Sequence, residues 1–186
     1  MGAVAIRGLG PEEARAAAPG LAALLVEAAA GGAEVSFLAP VPFEKAVRFW
    51  SETADAVGAG ARILLIAEDG GGIAGTVQVE PVRSETAPRL ASVAKLIVAG
   101  RARRAGLGAA LLDAAERAAL AAGRDILVLD TEERGAAYRL YLRAGWTLLG
   151  TIPGATLRGD GTPCANAVFW KRLRPCPTTA SAASSA

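Results

Sequence analysis

Between residues 95 and 112 the chain reads KLIVAGRARRAGLGAALL. A short apolar run ends at Val98, arginines stand at 103 and 104, glycines at 106 and 108, and an Ala/Leu helical pattern follows with Leu107 the one bulky residue of its first turn. Glycines there let an anion approach the backbone, while the first N–H groups of a helix lack intrahelical partners and carry the positive end of its dipole. Arg103 and Arg104 add countercharge, so the segment predicts an anion site. Two nucleotide loops are excluded. A dinucleotide fingerprint needs Gly or Ala where Leu111 stands, and a P-loop needs Gly-Lys-Ser/Thr at a spacing that neither Gly100 to Gly106 nor Leu107-Gly108 provides. The plainer alternative is a glycine pair that only tightens a strand-to-helix connection.

What else can do chemistry is limited by composition. The 186 residues include no histidine, and 20 basic side chains balance 18 acidic ones to a net charge of +2. Triads and zinc sites built on histidine are thereby excluded, and acid–base work falls to carboxylates, tyrosines, cysteines or water. No metal site is expected. Seventeen of the twenty cations are arginines, yet a charge so near balance gives no reason to expect a nucleic-acid partner. Cys164 and Cys176 cannot form a disulfide framework or a metal cage and read as structural or incidental. The Ala/Leu runs at 21–30 and 105–122 are interrupted by Glu27, Asp113, Glu116 and Arg117, so no membrane span is expected. Charged residues from Arg7 to Arg15 stand where a secretory signal needs an apolar core. The expected setting is the cytoplasm.

The elements that must position these residues follow from periodicity. Ala3–Arg7 reads as a short strand, Pro19-Gly20 interrupts an alanine-rich stretch, and a helix is predicted over about Leu21–Ala30. Phe43, Val47, Trp50, Ala54 and Val57 recur at helical spacing within 43–58. Arg62–Glu68 and Ile73–Glu80 flank a glycine turn and predict a hairpin. Leu90–Val98 is a strand leading into a helix of about 106–122, and Ile126–Asp130 is a buried strand. A helix over about 134–144 and strands at Gly145–Ile152 and Ala165–Leu173 complete the order. The result is a single α/β domain over 1–173, with parallel pairing expected where a helix bridges two strands, and a Pro/Thr/Ser/Ala-rich tail over 174–186 that is expected to be disordered.

The run Arg103-Arg104-Ala105-Gly106-Leu107-Gly108-Ala109 resembles the Arg/Gln-x-x-Gly-x-Gly/Ala signature of the GNAT superfamily of N-acetyltransferases, and LYLRAGW at 140–146 is similar to its Leu-Tyr-x-x-x-Gly-aromatic element. SFLAP at 36–40, GTVQV at 75–79, LVLDT at 127–131, GTIP at 150–153 and FWKRL at 169–173 resemble the subgroup that includes the tabtoxin resistance protein. The resemblance covers about 34–173. It implies a mixed, mostly antiparallel sheet with one splayed parallel pair and flanking helices. It also implies acetyl-CoA as cosubstrate, with its pantetheine arm along Leu96, Ile97 and Val98 and its pyrophosphate on Arg103, Arg104, Ala105, Gly106, Leu107, Gly108 and Ala109. Many relatives carry an asparagine near the start of the tyrosine-bearing helix, whereas this chain reads DTEERGAA at 130–137.

Direct transfer to an amine needs a neutral nitrogen, a polarised thioester and a proton for the departing thiolate. The resemblance assigns the proton to Tyr141; Tyr138, one turn earlier, is the weaker alternative. Glu80, which shares a strand face with Gln78, and Asp130, at the carboxyl end of its strand, are the carboxylates placed to take a proton through water, unless they are structural. Exposing a free ε-amine at pH 7 costs about 4.6 kcal/mol against about 1.4 kcal/mol for an α-amine, which favours a low-pKa acceptor. The acceptor pocket is expected between 43–58 and 73–80, lined by Phe37, Trp50 and Gln78. The expected partner is a small-molecule amine, resembling an amino-acid-like toxin or antibiotic, and the expected assembly a monomer or homodimer. A catalytically silent acyl-CoA-binding module is the alternative function.

Overall fold

The structure, a computed structural model, describes residues 4–173. Cys176 and the expected disordered tail lie outside the described residues. The chain forms β1 (Ala5–Gly8), α1 (Pro11–Ala30), α2 (Phe43–Gly58), β2 (Ile63–Asp69), β3 (Gly72–Pro81) and β4 (Leu90–Val98). A 3-10 turn at Gly100–Ala102 leads to α3 (Leu107–Ala121), β5 (Ile126–Glu132), α4 (Ala136–Arg143), β6 (Thr147–Leu157) and β7 (Pro163–Arg172). The seven strands make one sheet in the order β1-β2-β3-β4-β5-β7-β6. Every pairing is antiparallel except β4 with β5, which are bridged by α3 as the order of elements demands.

Strand alternation sends side chains to two cores, one on each face of the sheet. Val77, Val79, Leu127 and Phe169 meet Leu111 and Leu112 of α3 on one face. Leu64, Ile66 and Ile97 meet Leu21 and Leu25 of α1 and Trp50 of α2 on the other. The helix expected to start after Pro19-Gly20 instead runs unbroken from Pro11 with Pro19 inside it. Pro19 and Gly20 face solvent, whereas Ala14, Ala18, Leu21, Ala22 and Leu25 are buried on the opposite stripe, and that burial carries the helix past one lost backbone hydrogen bond. β6 also extends beyond its expected end, because register irregularities near Leu148/Gly150 and Ile152/Thr156 absorb Pro153 and Gly154.

Two irregularities in β4 open the middle of the sheet. Its parallel pairing with β5 consists of Leu90↔Ile126, Ala91↔Leu127 and Ser92↔Val128 and then stops, although both strands continue. Against β3 the register passes from Gln78↔Ala94 to Thr76↔Ile97, so two residues of β4, Lys95 and Leu96, stand opposite one residue of β3. Lys95 absorbs this bulge with φ +52.

The seat of α3 on the sheet depends on Gly75. A β-carbon there would stand 2.8 Å from Leu111 Cδ1 and 2.9 Å from the Ile97 carbonyl oxygen. Gly75→Ala should therefore destabilise the fold by about 1–3 kcal/mol, as overpacked cores do, read as a lower urea midpoint with an unchanged slope. An unchanged midpoint would contradict this packing.

Candidate active site

Beyond Ser92 and Val128, β4 and β5 diverge. After the bulge Ile97 and Val98 still pair with β3 on one side, but the other backbone edge of Leu96–Val98 meets no strand, an open ladder in the interior of a sheet. The chain then turns into α3 through Arg104 (φ +64) and Gly106 (φ +81). The first helical bond runs from Ala110 N–H to the Gly106 carbonyl at 3.1 Å, which leaves the N–H groups of Leu107, Gly108 and Ala109 without backbone acceptors. Gly106 thus supplies the left-handed turn. Gly108 lets α3 approach α4, since a β-carbon would lie 3.3 Å from Leu140 Cδ2.

Neighbouring contacts hold this loop rigid. Arg101 pairs with Asp69 and reaches the Ile73 carbonyl at 3.2 Å, Gly100 N–H donates to Glu27 Oε1 at 2.6 Å, and Arg103 Nε donates to the Val98 carbonyl at 3.1 Å. The Arg101 guanidinium and the Gly71 N–H hold the Asp69 carboxyl below the ordinary carboxylate range. Arg104 makes no ion pair or side-chain hydrogen bond among the described residues, so its charge is free for a ligand.

Two adjacent cavities open along the divergence. The larger, about 810 Å³, is lined by Leu96, Ile97, Val98, Arg103, Arg104, Gly106, Leu107, Gly108 and Ala109; Ala105 of the expected set is outside it. Thr131 and Arg143 also line it, and Arg143 adds a third guanidinium that its place in a short amphipathic helix concealed. The smaller cavity, about 350 Å³, is bounded by Glu34, Ser36, Phe37, Leu38, Asp130, Thr156 and Leu157. Glu34 lines both and marks their junction. It stands in an irregular segment after α1, where no periodicity singles it out.

The expected acceptor residues are brought together only in part. Phe37 lines the smaller cavity and packs edge-on to Phe49 at 5.4 Å between ring centroids. Trp50 and Gln78 are fully buried and line neither cavity. The space expected between α2 and the β2–β3 hairpin is filled, because α2 sets Ala46, Trp50 and Ala54 into the core and Gln78 accepts a hydrogen bond from Arg62 at 3.2 Å. The smaller cavity lies instead against the segment after α1 and the ends of β5 and β6.

Among the proton-transfer candidates, Asp130 lines the smaller cavity and accepts from Asn166 Nδ2 at 3.0 Å. Glu80 is paired with Arg62 at 3.3 Å and lines neither cavity. Tyr141 is 5% exposed, its ring 5.8 Å from those of both Trp146 and Phe169. Its hydroxyl makes no side-chain hydrogen bond among the described residues. Burial, and after it the charges of Asp130 and Glu34, push the phenol well above its ordinary range, so it stays protonated. Tyr138 packs edge-on to Phe169 at 5.1 Å.

Residues 60–148 match the sequence profile of the family described as Acetyltransferase (GNAT) domain. Over that segment the chain is similar to a GNAT acetyltransferase domain. Solved structures share the fold around it. An acetyltransferase of the GNAT family from Streptococcus pneumoniae is 23% identical with a TM-score of 0.70, over 92% of this chain and 100% of that one. The protein yncA from Salmonella typhimurium, solved with its cofactor acetyl-CoA, is 20% identical with a TM-score of 0.74, over 94% and 96%. The ribosomal-protein-alanine N-acetyltransferase from Brucella melitensis is 21% identical with a TM-score of 0.72, over 91% and 99%. These likenesses establish the mixed sheet with its one parallel pair as the GNAT fold. No helix of the described residues is long and apolar enough to cross a membrane.

The raised phenol of Tyr141 has a consequence for stability. Above the ordinary phenol pKa of about 10 the folded protein keeps a proton that the unfolded chain loses, so this group's contribution falls as pH rises, by at most about 1.4 kcal/mol per unit. Tyr141→Phe lacks that component. Urea unfolding from about pH 9 to about pH 11 should show wild type losing stability faster than the variant; parallel profiles would contradict the assignment.

Proposed function

We propose that this GNAT domain moves the acetyl group of acetyl-CoA directly to the primary amine of a small molecule, of the amino-acid-like class to which some toxins and antibiotics belong. The observation that carries the reading is the open backbone edge of Leu96–Val98 running straight into the unpaired N–H groups of Leu107–Ala109. A pantetheine arm has amides that pair with such an edge like an added strand, and a diphosphate suits the helix start with Arg103, Arg104 and Arg143 around it. The thioester would then lie where the two cavities meet.

In this arrangement the acceptor enters the smaller cavity as an ammonium and becomes a neutral amine there before it attacks. Asp130 and Glu34 on its walls, acting through water, take the proton that the ammonium must shed; Glu80 is held by Arg62 and is the less favoured base. The amine nitrogen attacks the thioester carbonyl carbon; as the amide forms and the C–S bond breaks, that nitrogen sheds its second proton, which returns through water to the Tyr141 phenolate left when the thiolate is protonated. The departing thiolate takes a proton from Tyr141, whose surroundings keep the phenol protonated until that moment. Tyr141 lines neither cavity; what supports this role is that its phenol feels the charges of Asp130 and Glu34, which line the smaller one. The resemblance of SFLAP, GTVQV and FWKRL to the tabtoxin-resistance subgroup supports an amino-acid-like acceptor.

Thiol release with acetyl-CoA and a panel of primary amines tests the proposal. Turnover should collapse in Tyr141→Phe while calorimetric binding of acetyl-CoA persists. Tight binding without turnover on any amine would overturn the transfer reading in favour of a silent acyl-CoA-binding module. Arg104→Ala, which removes an exposed and unpaired guanidinium, should weaken acetyl-CoA about 5–10-fold, the effect of one screened charge-assisted hydrogen bond. An unchanged dissociation constant would remove Arg104 from the diphosphate site.

A further inference from the structure

The bulge in β4 redirects one side chain. Before it, Ala91 and Val93 point into the core under α3; after it, Ile97 and Ala99 point into the core under α1 and α2. The extra residue lets Lys95 leave the α3 face, where strict alternation from Val93 would send it. Its ammonium lies instead 5.6 Å from the Phe49 ring centroid and donates to Ser36 Oγ at 2.9 Å. Ser36 is itself left-handed, with φ +66. Two non-glycine residues in this sparsely populated region, bonded to each other, mark a geometry that the surroundings enforce.

The environment of that ammonium is unusual. A half-buried lysine ordinarily has a carboxylate partner, yet among the described residues none stands within ion-pair distance of Lys95. The charged groups that act on it from further off are Glu34 after α1, Arg62 ahead of β2, Glu80 of β3 and Asp130 of β5. Burial pulls its pKa below the ordinary lysine range, a penalty that a closely bound anion relieves. Ser36, which accepts its hydrogen bond, is a wall of the smaller cavity, and Glu34 and Asp130 line the same space. The cavity therefore offers carboxylates to a cationic end of a ligand and, behind Ser36, an unpartnered cation to an anionic end.

We propose that Lys95 determines acceptor specificity by binding an oxyanion of the acceptor, so that the preferred acceptor is an amine that also carries a carboxylate or an oxyanion of similar size. This rests on the acetyl-transfer reading above. Phe49 and the Ser36 hydroxyl hold the ammonium one residue behind the cavity wall, and a rotation of the flexible four-carbon stem past Ser36 would bring it to an oxyanion bound there.

The test compares matched amines by thiol release: phenylalanine with 2-phenylethylamine, methionine with 3-(methylthio)propylamine, and alanine and 1-aminoethylphosphonate with ethylamine. Wild type should favour the carboxylated member of at least one pair by about tenfold or more in kcat/KM, the effect of one charge-assisted hydrogen bond. The phosphonate arm shows whether the site takes a carboxylate or a larger oxyanion. Lys95→Met should erase the preference chiefly through KM, and Lys95→Arg should restore part of it, with calorimetric binding of acetyl-CoA confirming that each variant is folded. Equal or better use of the decarboxylated partners by wild type would overturn the assignment whether or not a variant folds. So would a Lys95→Met that lowers kcat equally for both members. No turnover of any amine would instead overturn acetyl transfer itself, and this assignment with it.

Discussion

Everything at this site depends on a ladder that is left unfinished. Interior strands of a sheet normally satisfy both backbone edges, and an open N–H or C=O row away from water is costly. β4 and β5 pair over three residues and then part, so the edge of Leu96–Val98 stays open in the middle of the molecule. The sheet tolerates this because both faces are otherwise covered, by α3 and α4 on one side and by α1 and α2 on the other. A fold stabilised elsewhere keeps in its centre a row of hydrogen-bonding groups whose natural complement is another extended amide chain.

The backbone conformations around that opening support the same view. The four non-glycine residues with positive φ among the described residues are Ser36, Lys95, Arg104 and Arg134. Ser36 borders the smaller cavity and accepts a hydrogen bond from Lys95 behind it, Arg104 lines the larger, and Arg134 lies in the turn between β5 and α4. Strained conformations persist where surrounding structure over-determines them, and here they gather around a single cleft. The contacts of Arg101, Gly100 and Arg103 show how that determination is achieved beside the larger cavity: each ties the loop to α1, to the β2–β3 turn or to β4.

Much of this was legible in the chain itself, and the reasons for the rest are specific. The order of elements followed from periodicity, and the tight turn into an open helix start from the glycines at 106 and 108. Pro19 misled because a helix with enough buried alanine and leucine overrides one missing hydrogen bond. Trp50 and Gln78 misled because a helical face reads alike whether it meets a core or a cavity, and only the depth of α2 against the sheet distinguishes them. Glu34 and Lys95 carried no signal. The first stands in an irregular segment, and the second owes its direction to a bulge, whose position depends on pairing with β3 rather than on local sequence.

The central claim is that an extended amide chain completes β4 while a diphosphate caps α3. Amide hydrogen exchange with and without saturating acetyl-CoA tests it most directly. Exchange at 96–98 and at 107–109 should slow together on binding, with the β1–β2 edge unaffected. Calorimetric binding of acetyl-CoA that leaves both segments exchanging at their free rates would contradict the account.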